Sequence, residues 1–209
     1  MCSILRVQWT IIPRIAPQPW IACSGCGGLR PFQSSGKIRL NAHGKKLDAW
    51  LIYKCLACDK TWNRPIFERQ NTRDINPATL HALRANDPEW IRTQEFDIAT
   101  LRGKSQRIDE SSDFDVQKKA LSGEGDAWMA MEIDLFVPLP TGMRLDRLLA
   151  AELRVSRSRL ETLKDAEKLR TDPAHKDMLR RRIKHGLRIT IDVSMEADRQ
   201  DIRKAAIGE

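Results

Sequence analysis

No run of apolar residues in this chain approaches the roughly 18–20 needed to span a bilayer. The opening, MCSILRVQWTIIPRIAP, carries Arg6 and Arg14 and has no long apolar stretch before a small-residue cleavage site. It therefore reads as mature protein and not as a signal peptide, which places the chain in the cytoplasm. No G-x-S-x-G elbow, phosphate-cradling Walker loop or dinucleotide fingerprint is present. The four histidines, His43, His81, His175 and His185, are scattered along the chain. Each is expected to be a surface or packing residue. Asp109, Glu110, Asp113 and Asp115 lack the spacing of a calcium loop, and Gly123 to Gly125 reads as a polar turn. Internal repeats and low-complexity blocks are missing as well. These absences together disfavour an enzyme.

What is present is charge, unevenly placed. The 209 residues hold 36 Lys and Arg against 28 Asp and Glu, a net of +8, with 41% hydrophobic residues. Such a balance is globular and favours an acidic partner such as nucleic acid. Residues 1–74 carry 12 basic and 4 acidic side chains, residues 75–140 carry 7 and 12, and residues 141–209 carry 17 and 12. Two basic ends flank an acidic middle, which suggests segments with different jobs.

Local patterns fill in the segments. Residues 4–14, 37–41, 47–55 and 61–70 are strand-like, and Gly44 offers a hairpin reversal, so residues 1–74 form an antiparallel β module. Asn76-Pro77 and Asp87-Pro88 each pair a capping residue with a proline at the first helical position, opening two short helices. Residues 103–115 read as a loop, 116–121 as a helix, and 127–137 as a strand ended by prolines. The segment 75–140 is thus a helical connector with one strand. Leu145, Leu148, Leu149 and Leu153 form the stripe of one helix, and Ser156 or Ser158 caps a second that carries Leu160 and Leu163. Residues 185–193 alternate as a final strand, which closes a small C-terminal α/β domain at 141–193. Residues 194–209 are a polar tail, either a short helix or frayed. The fold class is α+β.

Cys23-Ser-Gly-Cys26 and Cys55-Leu-Ala-Cys58 are two C-x-x-C pairs separated by 28 residues. One pair supplies half of a tetrahedral site and the second completes it, so the four thiols predict structural zinc with no open coordination position. Iron in the same thiolate set is the alternative metal. A redox pair is disfavoured because no βαβ pattern surrounds it. Four thiolates on a divalent ion leave a net −2, for which Arg30, Lys54 and Lys60 are candidate counter-charges. Asp59 follows the second pair where a glycine is usual, and aspartate tolerates a left-handed backbone. Cys2 is left over and is expected to be an unimportant thiol. The order of pair, hairpin, pair and strand over about residues 20–70 resembles a zinc ribbon, a likeness specific for metal but not for function.

In RLDRLLAAELRVSRSRLETLKDAEKLR, arginines recur between the leucines. Arg144-Leu145-Asp146, Ser156-Arg157 and Gly186 before LRITIDV resemble the α-L RNA-binding motif of ribosomal small-subunit protein four, several pseudouridine synthases and some tRNA synthetases. With leucines inward, Arg144, Arg147, Arg154, Arg157, Arg159 and Lys164 are expected to project outward, and Ser156 to mark an anion-accepting helix start. The match implies RNA, ribosomal or transfer RNA among the options. The segment KDAEKLRTDPAHKD departs from the motif, and its acidic residues dilute the field. The competing expectation is a leucine-packed pair with a solvated charged face. Six tryptophans raise the matter of base stacking, with Trp50 and Trp62 near Arg39, Lys54 and Arg64, but burial is expected for most.

SSGKIRLNA (34–42), WLIYKC (50–55) and TWNRPI (61–66) resemble the bacterial family termed domain of unknown function 1062. The likeness runs over most of the chain and implies a bacterial cytoplasmic protein. The expected function is a non-catalytic, zinc-containing RNA-binding protein. The alternative is a zinc-stabilised protein-interaction module with no nucleic-acid role.

Overall fold

The computed structural model describes residues 3–122, 128–194 and 196–209. Cys2, the glycines of the expected turn at 123–125, and residue 127 lie outside the described residues. The chain is α+β, built as two compact units: Met1–Arg14 with Ser112–Glu209, and Ile15–Ser111. Among the described residues, no helix is long and apolar enough to cross a membrane.

The unit Ile15–Ser111 contains an antiparallel sheet in the order β5-β4-β3-β2-β6: β2 Gln18–Cys23, β3 Gly28–His43, β4 Lys46–Cys55, β5 Thr61–Asn71 and β6 Ile108–Asp109. Leu47, Ala49, Leu51, Tyr53 and Cys55 alternate inward along β4, and Trp50, Ile52 and Lys54 face the other way. The β3–β4 hairpin turns at Gly44, whose φ of 58° favours glycine. Helices α1 (Pro77–Ala85) and α2 (Pro88–Glu95) begin as expected, with Asn76 and Asp87 accepting hydrogen bonds from the first free amides. The Asn86 side chain accepts from the Ile38 amide at 2.8 Å, which ties the end of α1 to β3. A third helix, α3 (Ile98–Arg102), starts at Asp97 by the same capping device.

The other unit is built on a mixed sheet in the order β7-β1-β8-β10-β9: β1 Ser3–Pro13, β7 Phe114–Ser122, β8 Trp128–Phe136, β9 Leu169–Asp172 and β10 Arg188–Asp192. Strand β1 runs parallel to β8, and the other neighbours are antiparallel. Helices α4 (Leu145–Leu153), α5 (Arg157–Asp165) and α6 (Arg199–Ile207) complete it. Leu145, Leu148, Leu149, Leu153, Leu160 and Leu163 join Leu5, Val7, Trp9, Ile11, Trp128, Ile133, Ile189 and Ile191 in one core.

Several expectations are corrected by these pairings. The units do not follow the charge segments 1–74, 75–140, 141–193 and 194–209, because β1 and β7 pair within the C-terminal sheet. Residues 116–121 are strand and not helix: β1 offers a free edge, and Phe114, Val116 and Lys118 alternate toward the core side. The 103–115 loop contains β6. The polar tail is largely α6, whose Ile202, Ala205 and Ala206 are buried. The Trp9 indole donates to the Ala206 carbonyl at 2.8 Å.

Candidate metal centre and nucleic-acid interface

Two tight turns bring the four cysteines together. Cys23 closes β2 and Cys55 closes β4, so the pleat aims both side chains at the small core containing Phe32, Leu51 and Tyr53. Cys26 and Gly27 donate backbone N–H groups to the Cys23 carbonyl, and Asp59 donates to the Cys55 carbonyl. Gly27 and Asp59, each just after the second cysteine of its pair, have φ of 68° and 59°. The left-handed aspartate expected at 59 is thus present.

All four sulfurs lie within 4.8 Å of one another. Cys23 Sγ is 3.4 Å from Cys58 Sγ, and Cys26 Sγ is 4.0 Å from Cys55 Sγ. A tetrahedral metal with bonds of about 2.3 Å requires sulfur separations of about 3.8 Å, so the cage is of the right size to hold a metal ion. Cys23 and Cys55 are 3% and 1% exposed, and Cys58 lies at the surface. Burial pushes the Cys23 thiol up, but hydrogen bonding with Cys58 and from the Cys26 and Gly25 amides outweighs it, giving about 7. Cys26 is pushed up to about 12 by hydrogen bonding to Cys58 and by burial. Four thiols this close resist carrying four negative charges on their own, and a cation removes that conflict.

Gly25 is what allows the two turns to meet. A β-carbon there would sit 2.9 Å from Lys60 Cγ and 3.1 Å from Cys58 Sγ. The Lys60 stem therefore lies over the first turn, where its ammonium can offset the thiolates. Of the other two candidate counter-charges, Arg30 donates to the Leu29 carbonyl and Lys54 belongs to the outward face of β4.

The basic helix pair is arranged differently from the expected row of free guanidiniums. Asp146, 4% exposed, receives the Arg144 guanidinium at 2.9 Å and Nε and Nη2 of Arg157 at 3.0 and 2.6 Å. Arg159 pairs with Asp198 at 2.6 Å and Glu196 at 2.5 Å, and those carboxylates raise its pKa. Lys164 pairs with Glu161 at 2.5 Å and Asp165 at 3.3 Å. Ser156 caps α5, accepting from the Arg159 amide. Arg154 ends α4 in the left-handed region. Arg147 and Arg154 are exposed, and no carboxylate partner is found for either among the described residues. The helix face is thus mostly internally neutralised, because α6 and the first turn of α4 bring acids to it.

Sequence reasoning missed the cations of the segment after β9. Lys176, Arg180, Arg181, Arg182 and Lys184 are all exposed there, against the single acid Asp177 within 175–186. The run RRRIKHG was the available signal. Of the tryptophans, Trp9 and Trp128 are fully buried, and Trp20, Trp50, Trp62 and Trp90 are half-buried. Trp62 packs on Phe32 and Tyr53, whereas Trp50 lies beneath the Arg39 guanidinium on the open face. All four histidines are exposed, and Asp113 and Asp115 pair with Arg14.

No curated protein and no solved structure matches the chain. A family model described as "Protein of unknown function (DUF1062)" matches residues 40–175, a span that takes in Cys55, Cys58 and the α4–α5 pair. With well over half of its length matched, the chain belongs to that family.

Proposed function

We propose that this protein is a non-catalytic, zinc-containing RNA-binding protein of the reducing cytoplasm. The observation that carries the reading is the closed cage of four sulfurs. Cys23, Cys26, Cys55 and Cys58 would hold the ion and fill all four positions, leaving none for a reacting water. Bound there, zinc supplies a cross-link between the ends of β2 and β4. Zinc is preferred to iron because the cage joins two turns around a small core, a stapling task that needs no redox change.

The RNA half rests on the net charge of +8 and on where uncompensated cations remain. Arg144, Arg157, Arg159 and Lys164 hold the unit together and are poorly placed to give up their carboxylates. Arg147 and Arg154 keep exposed guanidiniums beside the helix pair. The likeness of this pair to the α-L motif supports a structured RNA as the partner. Titration of purified protein with ribosomal or transfer RNA at rising salt tests the reading. Binding should weaken by orders of magnitude between low and moderate salt. Failure to bind at low salt contradicts it.

One observation favours a second reading, docking of a protein. Leu29 and Leu56, 58% and 52% exposed, stand beside the two cysteine turns, where the Leu56 amide bonds to the Pro31 carbonyl. Exposed leucines near a rigid staple suit a protein contact. A stoichiometric protein partner that survives nuclease and is lost on Leu29→Ser with Leu56→Ser would favour this reading over RNA.

A further inference from the structure

We propose that residues 173–187 of the C-terminal unit form the phosphate-gripping surface, and that it takes an unpaired stretch of the RNA; this rests on the RNA reading above. The segment presents Lys176, Arg180, Arg181 and Lys184 to solvent, and none of these is ion-paired to a carboxylate among the described residues. The cations of α4 and α5 are mostly consumed by acids. This asymmetry separates a binding surface from a scaffold.

The segment is held in place before any ligand arrives. Met178, Leu179 and Ile183 are buried in the large core. The Arg181 carbonyl accepts from the Leu145 amide at 3.0 Å, and the Ile183 amide donates to the Met143 carbonyl at 3.0 Å. The Gly186 amide closes the far end on the Leu135 carbonyl at 3.0 Å. Its backbone is therefore fixed by bonds to β8 and to the start of α4, which lowers the ordering cost of binding.

The recess within it has the chemistry of a nucleotide site. Met178 and Leu187 give an apolar floor to a cavity of about 120 Å³, and His175, Arg181, Lys184 and His185 rim it. A broader recess lined by Lys176, and by Lys164 and the Arg170–Glu167 pair, adjoins it, sharing Thr171, His175 and Met178. Phe136, 41% exposed, meets the His185 ring edge to face at 4.8 Å. Exposed aromatic faces beside a row of cations are the means by which proteins hold single-stranded nucleic acid, with bases on the rings and phosphates on the ammonium and guanidinium groups. An acidic peptide would use the cations but not the ring.

The test is fluorescence anisotropy of labelled oligouridylate on the full-length, metal-loaded protein across a salt series. Arg181→Ala with Lys184→Ala should weaken binding tenfold or more and flatten the log–log salt slope by about 1.4, at about 0.7 per lost phosphate contact on a single strand. Phe136→Ala should weaken binding about fivefold or more with the slope unchanged. Lys45→Ala with Lys46→Ala, an equal charge loss on the other unit's β3–β4 hairpin, should change neither. Should the first pair fail to fold by circular dichroism, Lys176→Gln with Lys184→Gln replaces it with the same expected losses. If wild type binds but these variants match it, or if Arg39→Ala with Lys54→Ala takes the loss instead, this surface is wrong and the RNA reading stands. If polyglutamate at equal charge displaces the RNA from wild type but Phe136→Ala binds normally, an acidic protein is the ligand and the proposal is overturned. Wild type that binds no RNA at low salt removes both.

Discussion

Asp146 organises the start of the helix pair. Its buried carboxylate joins Arg144, just before its own helix, to Arg157 on the next, so both guanidiniums serve packing before they serve any ligand. Arg157→Ala leaves that carboxylate one charged partner short. It should cost about 2 kcal/mol in urea unfolding, against a negligible cost for Arg147→Ala. The side-chain hydrogen bond from Arg159 holds Asp198 below the usual carboxylate range, against the opposing effect of burial. A depressed folded pKa gives stability that is present above the unfolded value of about 3.9 and lost as pH falls through the folded one. The start of α6 should therefore loosen only below about pH 4, seen as lost hydrogen-exchange protection of the Asp201 and Ile202 amides, which donate to the Asp198 carbonyl, and Asp198→Asn should remove that step. At the metal cage, Gly25→Ala drives a methyl group into Lys60 and Cys58. It should weaken zinc affinity at least tenfold in a chelator competition while leaving the C-terminal unit's melting unchanged.

At the scale of elements, α6 belongs to the core. Ile202 is buried, and Lys118 reaches from β7 to the Ala205 carbonyl at 2.6 Å and the Glu152 carboxylate at 2.8 Å, placing a cation at the helix's C-terminal end. Ile202→Ala should cost about 3 kcal/mol in denaturant unfolding, the usual loss for a buried branched side chain. A cost near zero would mean that α6 is frayed. A short helix was one of the two readings of this tail, but its burial was not legible, because Ile202, Ala205 and Ala206 make a narrow stripe among charged residues. The sequence concealed β7 because VQKKAL is built from good helix formers, and only the partner strand β1 decides otherwise. Where the signal was chemical and local, it was legible. The two C-x-x-C pairs, the caps Asn76 and Asp87, and the Gly44 turn all stand as expected. The exposed row on α4 and α5 was not legible in full, because its neutralising acids Glu196 and Asp198 lie more than thirty residues downstream.

At the scale of the molecule, the metal's effect should be confined to one of the two units. Cys23 and Cys55 are members of the small core of Ile15–Ser111, whereas among the described residues no cysteine joins the large core of the other unit. Chelation at neutral pH should lower the stability of the first unit and leave hydrogen-exchange protection of β1, β8 and β10 intact. Acidification should release the metal as protons compete for the thiolates. The most direct measurement is addition of cobalt to the metal-free protein, followed by visible absorption. One cobalt per chain is expected, with the intense bands of a tetrahedral all-thiolate site, abolished by Cys55→Ser. A weak octahedral spectrum, or one unchanged by Cys55→Ser, would contradict this.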